Sequence, residues 1–284
     1  MASEVSAWRE RATRLIAATF TIVVTMSSIG CHGDGGVSLA PTVPLAYTRF
    51  VHAVADTGAT DWRFIDQLEN SPVAFGLAFR GLTPYQATAP GDRRLRVFPT
   101  STNIDVTSRF LIDTILHLEN DTYYTIVHVG HAGAAQLPAH HIFVLKDEIP
   151  EAATRQIAVR VVHLGSGLGP IDVFADTLGG ASPLPASPMF VGLPFGSRSS
   201  YQLRDTSRLV LRVTGSGQTI PIVASAIAPA GDAGDAARNL TTIGGSRMGR
   251  SVISAFLFPR SVAGSSAQPF TTPGLVFQVD KHPR

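Results

Sequence analysis

The feature that most constrains this chain is that part of it is written twice. Tyr47-Thr48-Arg49-Phe50-Val51-His52 returns as Val159-Arg160-Val161-Val162-His163, and nine positions after each His stands an Asp, Asp61 and Asp172. Gly76-Leu77-Ala78-Phe79 with Tyr85 returns as Gly192-Leu193-Pro194-Phe195 with Tyr201, and the run from Ile142 to Asp147 answers that from Leu275 to Asp280. The displacement grows from 111 residues at the His to 133 at the last run. A repeat commits the chain to building one unit twice, and the growing displacement puts insertions into loops of the second copy, near 228–236 and 261–269. Within each copy the apolar runs are short, rich in Val, Ile, Phe, Tyr and Thr, and punctuated by Gly, Pro, Asp or Ser about every ten residues. Eight strands are expected in the first copy, from Tyr47–Ala53 to His141–Lys146, and eight in the second, from Ile157–Leu164 to Gly274–Val279. The fold class is therefore all-β, with two tandem immunoglobulin-like antiparallel β-sandwich domains at 47–150 and 156–283, joined by the short link from Pro150 to Arg155. The segment from Arg238 to Arg250, broken by Gly244, Gly245 and Gly249, fits no element well.

The chain of 284 residues is 44% hydrophobic and 15% charged, which is too apolar for a disordered chain, and its 26 Gly and 19 Pro suit many turns. One Cys excludes a disulfide scaffold. The first thirty residues have another purpose. Arg9, Arg11 and Arg14 precede an uncharged stretch from Leu15 to Gly30 that is too short and too rich in Thr and Ser for a comfortable bilayer span, which is the plan of a signal peptide. Ser28-Ile29-Gly30-Cys31 resembles the lipobox of bacterial lipoproteins, in which the Cys is acylated and becomes the mature N-terminus. The resemblance implies lipidation of Cys31, a signal peptide over 1–30 and a Gly/Pro-rich tether over 31–46. It also implies attachment to a membrane surface through the lipid, and His32 after the Cys points to the outer membrane. Without residues 1–30 the chain is nearly neutral and gathers no basic patch, so nucleic acid is not expected as a partner.

The block Arg-x-Val-His followed nine positions later by Asp resembles a family of bacterial secreted proteins, domain of unknown function 4397. In that family Val-Val-His-Ala-Ser-Pro-Asp-Ala-Pro leads into Asp-Val; here Val51-His52-Ala53-Val54-Ala55-Asp56 leads to Asp61-Trp62, and Val162-His163-Leu164 to Ile171-Asp172-Val173. The Ser-Pro-Asp centre is absent from both copies. The resemblance implies tandem Ig-like domains in a cell-surface or secreted protein and supplies no catalytic residues.

His52 and His163, each with its Asp, share a strand face with Phe50 and Val161, so both imidazoles are expected to turn inward as fold determinants that bond to backbone or to the Asp. His117, His128, His131, His140 and His141 lack the spacing of a metal site. Gly165-Ser166-Gly167-Leu168-Gly169 is expected to be a turn, because the chain after it continues as a strand and offers no helix N-terminus to a phosphate. Asp232 and Asp235 are too few for calcium. Trp62, Tyr85, Tyr123 and Tyr124 suit a sandwich core, or a carbohydrate-binding face if exposed. No cofactor, metal or catalytic residue is expected. The functional expectation is a lipid-anchored envelope protein that binds an envelope protein or polysaccharide, or packs there. The alternative is a periplasmic or surface carbohydrate-binding protein or hydrolase with a site built from loops.

Overall fold

The computed structural model describes residues 43–66, 72–133, 136–179 and 182–283. The expected signal segment 1–30, Cys31 and the tether up to residue 42 lie outside the described residues. Contacts divide the chain after Val43, and Pro44–Arg284 forms one compact unit holding both copies of the repeat.

The strands fall where the punctuation of the sequence places them, with ends shifted by a few residues. In the first copy these are β1 (Ala46–Val54), β2 (Thr60–Phe64), β3 (Ala74–Leu77), β4 (Gln86–Thr88), β5 (Gly91–Pro99), β6 (Ile112–Leu118), β7 (Tyr123–Gly130) and β8 (His141–Asp147). In the second they are β9 (Gln156–His163), β10 (Ile171–Asp176), β11 (Phe190–Leu193), β12 (Gln202–Asp205), β13 (Val210–Gly215), β14 (Ala224–Ile227), β15 (Val252–Phe258) and β16 (Gly274–Lys281). A single turn of helix, α1 (Ile104–Thr107), is capped by Asn103, whose side chain accepts from Asp105 N. Each copy is a two-sheet sandwich with the same topology: β4-β1-β7-β8 over β3-β2-β5-β6, and β12-β9-β15-β16 over β11-β10-β13-β14. The pairing is antiparallel except for β1 with β7 and β9 with β15, which run parallel at the centre of one sheet in each copy.

The central strands of those two sheets, β1 and β7, β9 and β15, are buried on both faces. In β1 every residue but Tyr47 is buried, and in β9 every residue but Gln156, the near-continuous apolar pattern of a strand covered on both sides. Alternate residues divide between two cores. Phe50, with Trp62, Phe64, Leu95 and Ile126, fills the first sandwich, while Val159 and Val161, with Ile171, Leu211 and Ile253, fill the second. The opposite faces meet each other: Val51, Ala53, Val127 and Val129 of the first copy pack on Val162, Leu164, Phe256 and Phe258 of the second. At about 1.5–3 kcal/mol for each fully buried side chain of this size, this third core makes four stacked sheets into one body.

Beside it lies a buried cluster of charges with approximate two-fold symmetry. Arg49 pairs with Asp280 of the other copy, and Arg160 pairs with Asp147 of the first at 2.6 Å. Tyr85 donates its hydroxyl to Asp147 at 2.6 Å and Tyr201 donates to Asp280 at 2.8 Å. Each guanidinium lies over the matching ring, Arg49 at 4.4 Å from the centre of Tyr85 and Arg160 at 4.7 Å from that of Tyr201. The Arg49 Nε–H donates to Thr125 at 2.7 Å, and the Arg160 Nε–H to Ser254 at 2.7 Å. Burial works against the Arg49 charge, yet Asp280, Tyr85 and Asp147 more than offset it and hold the guanidinium above its ordinary pKa. Burial raises both tyrosines, so their hydroxyls stay protonated as donors. Each carboxylate takes its shorter arginine contact from the other copy, while Arg49 and Asp147 of the first copy also stand 3.9 Å apart, so separating the copies would break the two close pairs and expose the charges at the surface of two apolar sheets.

The segment from Arg238 to Arg250 has no regular strand. It is held by isolated bridges between Asp232 and Ile243, Asp235 and Leu240, and Gly245 and Met248. Its glycines are there for close approach: a Cβ on Gly249 would stand 1.6 Å from the Thr154 carbonyl oxygen, and one on Gly245 would stand 2.2 Å from Gly231 N.

Candidate functional site

His52 and His163 are fully buried and do the same work in each copy. The His52 Nε2–H donates to the Gly58 carbonyl at 2.9 Å, and the His163 Nε2–H donates to the Gly169 carbonyl at 3.1 Å, each six residues ahead in the turn that follows the strand. His163 Nδ1 also accepts from Gly165 N at 3.1 Å, which sets its tautomer. Burial pushes the His52 pKa down to about 4, against the pull of the Gly58 and Thr57 carbonyls and Asp56, and lowers that of His163 as well. The bonds run to backbone and not to the Asp. Asp61 instead accepts from Gly76 N at 2.8 Å and from the Thr100 hydroxyl at 2.5 Å. Asp172 accepts from Gly192 N at 2.7 Å and Gly217 N at 2.8 Å. Gly76 and Gly192 have φ of 61° and 60°, so each Asp fixes a glycine kink in the short strand beside its own. The repeated motif is a device for two turns and a bulge in each sandwich.

The other histidines separate. His128 stacks on His52 at 5.7 Å and shares a hydrogen bond with His140 at 3.0 Å. Burial, with the neighbouring charges of His52, His140 and His141, holds the His128 pKa well below its ordinary value. His117 is exposed and pairs with Asp92. Among the described residues no three His, Cys, Asp or Glu side chains stand in a group fit to hold a metal ion. Asp232 and Asp235 accept from Gly234 N and Ala237 N as turn caps. Trp62 and Tyr124 are core residues, the Trp62 indole donating to the Thr60 hydroxyl at 2.9 Å.

A groove of about 940 Å³ opens at one end of the stack, and three loops wall it. Ser166 and Leu168 come from the β9–β10 turn, His131 and Gln136 from the β7–β8 connection, and residues 259–273 from the β15–β16 connection. The turn 165–169 expected from sequence is thus one wall, with Gly167 at φ 81°. The 259–273 wall belongs to the second copy but is fastened to the first. Arg80, between β3 and β4, donates to the carbonyls of Pro259 at 2.6 Å and Thr272 at 2.5 Å, and its guanidinium lies 4.0 Å from the centre of the Phe270 ring. Val262 N donates to the Ala55 carbonyl and Gly58 N to the Ser266 hydroxyl, both at 2.9 Å. Asp56 takes the backbone N–H groups of Ala132 and Gly133, each at 2.8 Å, which secures the His131 wall to the same β1–β2 turn. Phe79, Ala55, Ala267, Val262 and Phe270 form a small core beneath the loop. Burial lowers the Arg80 pKa to about 10, so it stays cationic as a clamp at neutral pH.

Two polar atoms of the wall residues have no partner among the described residues, the Ser166 hydroxyl and His131 Nδ1, and both are closed off from solvent. Arg260 stands exposed at the rim. The arrangement offers a largely apolar trough with the Arg260 guanidinium exposed beside it. The sequence singles out His131 only within a histidine run and Ser166 only within a turn, and Arg260 stands in no motif. Arg80 is visible only as a non-glycine residue that the fold places at φ 67°.

A model of the family described as domain of unknown function (DUF4397) matches residues 46–174. The match begins with β1, crosses the link between the copies and ends in β10, so it takes in both His and both Asp of the repeated motif. No curated protein matches the chain.

Proposed function

We propose that this chain, whose residues 46–174 belong to the DUF4397 family, is a lipid-anchored bacterial cell-envelope protein that works as a binding module without catalysis. The lipobox at Cys31 and the preceding signal plan support the anchor, with His32 favouring the outer membrane. The observation that carries the binding reading is the groove, whose walls come from both copies and are pinned before any occupant arrives by Arg80, Asp56 and Ser266. Walls already ordered cost little entropy on binding. The stacking of the copies supports the same reading, because it gives these loops a rigid base. A second reading, a surface carbohydrate-binding protein or hydrolase, takes the same groove as its site.

The test has two parts. Intact mass and membrane fractionation of the wild type beside Cys31→Ala are expected to give a mature mass beginning at Cys31 plus acyl chains, and release of the variant into the soluble fraction. An unmodified mass cleaved at another bond overturns the anchor. Retention of the purified protein on delipidated envelope material is expected to be lost in Ala263→Trp, which fills the groove from an exposed wall position. Equal retention of both overturns the groove as the binding surface.

A further inference from the structure

We propose that the hydrogen bond between His128 and His140 is an acid-sensitive latch, which ties the β7–β8 connection to the core at neutral pH and lets go of it as pH falls. The latch stands independently of any occupant of the groove. Its consequence for the groove, one of whose walls carries His131 and Gln136 of the same connection, rests on the binding reading above. The two copies differ here. β1 sets His52 beside His128 of β7, whereas β9 sets His163 beside Leu257 of β15. The second copy builds the same sheet with an apolar side chain at that place, so His128 is not a requirement of the fold. Its imidazole is fully buried, with the stacked ring of His52 at 5.7 Å and the indole of Trp62 edge-on at 6.0 Å. A polar ring costs more to bury there than a leucine, and what distinguishes it is the bond to His140 at 3.0 Å.

That bond holds while both rings are neutral, and its direction follows from the buried end. His128 Nδ1 is sealed from solvent and has no partner among the described residues, so a proton there would be an unsatisfied buried donor. His128 therefore carries its proton on Nε2 and donates, and His140 Nδ1 accepts. His140 is the half-buried member, and protonation at its Nδ1 turns the acceptor into a second donor. Two N–H groups then face each other, and the tautomer of His128 that could accept puts its own proton on the partnerless Nδ1. The groups around the pair set the response. Burial, together with His52 of β1, His140 and His141, disfavours a charge on His128. On His140, burial and His141 oppose the charge while Asp56 of the β1–β2 turn favours it, and burial prevails. A released His140 returns toward its ordinary 6.5, so the open state binds the proton more tightly than the latched one, and falling pH favours opening. What remains is backbone: His131 N donates to Pro138, His140 N to His131, and Ala132 N and Gly133 N to Asp56. These bonds close the connection on itself and on the β1–β2 turn, so the release is local and leaves the cores packed.

The experiment is hydrogen–deuterium exchange of the detergent-solubilised full-length mature protein between pH 7 and pH 5, with rates corrected for the pH dependence of free amides. Opening of residues 131–133 and 136–140 is expected to rise by up to about tenfold for each pH unit below 6.5, the limit for one linked proton, while β9 and β15 keep their protection. His128→Leu, the residue type that the second copy carries at Leu257, is expected to lower protection of the segment at pH 7 by about fivefold, the effect of one hydrogen bond, and to remove its pH dependence. His140→Gln, whose amide oxygen still accepts from His128, is expected to keep the protection of the wild type at pH 7 and lose the pH dependence. Protection of the segment that is flat with pH, a pH dependence kept in both variants, or loss in step with β9 and β15 overturns the latch. His140→Gln, at the half-buried end of the pair, decides the matter by itself should His128→Leu not fold. Retention on envelope material that is unchanged at pH 5 while the segment opens removes that wall from the binding surface and leaves the latch standing.

Discussion

Replacing Arg49 by Met tests whether the two copies are one cooperative body. The guanidinium is fully buried, pairs with Asp280, donates to Thr125 at 2.7 Å and lies between the rings of Tyr85 at 4.4 Å and Phe256 at 5.0 Å. Met keeps much of the stem volume and its contact with the two rings, so the loss is electrostatic. Asp280 is left buried without its close cation, keeping the hydroxyls of Tyr201 at 2.8 Å and Ser254 at 2.6 Å and a longer-range attraction to Arg160. Leaving one charge of a buried pair uncompensated costs about 3–5 kcal/mol. At roughly 2–4 °C for each kcal/mol in a unit of this size, Tm should fall by about 6–20 °C. The assay is thermal unfolding followed by circular dichroism, with denaturant unfolding to supply the free energy. The double variant Arg49→Met/Asp280→Leu removes both charges and should recover at least half the loss, since a buried ion pair replaced by apolar side chains is often neutral in stability. Arg49 belongs to the first copy and Asp280 to the last strand of the second, so the whole body should unfold in one transition that moves as a unit. A single variant melting within about 2 °C of wild type, less than the shift for 1 kcal/mol, would refute the buried coupling. Two transitions of which only one shifts would refute the fused body.

Acid should destabilise the protein well above the range where carboxylates titrate. The folded pKa of His52 is about 4 against an ordinary 6.5, and those of His128, His140 and His163 are also lowered, burial being the first cause in each. Between pH 6.5 and 4 the unfolded chain therefore binds more protons than the folded one, and stability falls as pH falls. His52 alone contributes about 3 kcal/mol to that loss, measurable as the drop in unfolding free energy from pH 7 to pH 4; a flat profile there would contradict its burial. Among the glycines, Gly249→Ala should prevent folding or lower Tm severely, since its Cβ would stand 1.6 Å from Thr154 O, whereas a Cβ on Gly76 meets nothing within 4 Å. Gly76→Ala then carries only the cost of a left-handed backbone, about 1–2 kcal/mol, and equal Tm losses in the two variants would sink the distinction.

The extent of the strands was legible because alternation and turn residues are local signals. Tyr123–Gly130, Phe190–Leu193 and Val252–Phe258 stand where their apolar runs begin and end. The inward turn of His52 and His163 was legible too, from the face each shares with Phe50 or Val161. Their partners were open between backbone and the Asp nine residues on; the intervening turn brings a carbonyl to each imidazole and leaves the Asp to fix a glycine in the next strand. The groove was least legible of all. Its walls run from His131 to Pro273, 142 positions apart (273 − 131), and meet only because Arg80, Ala55 and Asp56 hold loops from elsewhere in the chain.

By itself, then, the sequence determined two copies of one short-stranded unit and the face each strand turns inward. A period of two says which residues are buried but not against what. Tertiary structure decided that the second faces of the central sheets, with Arg49 and Arg160 among their apolar residues, would bury against each other. That choice depends on partners such as Arg49 and Asp280, 231 positions apart, whose meeting is a matter of packing geometry and charge compensation across the whole fold.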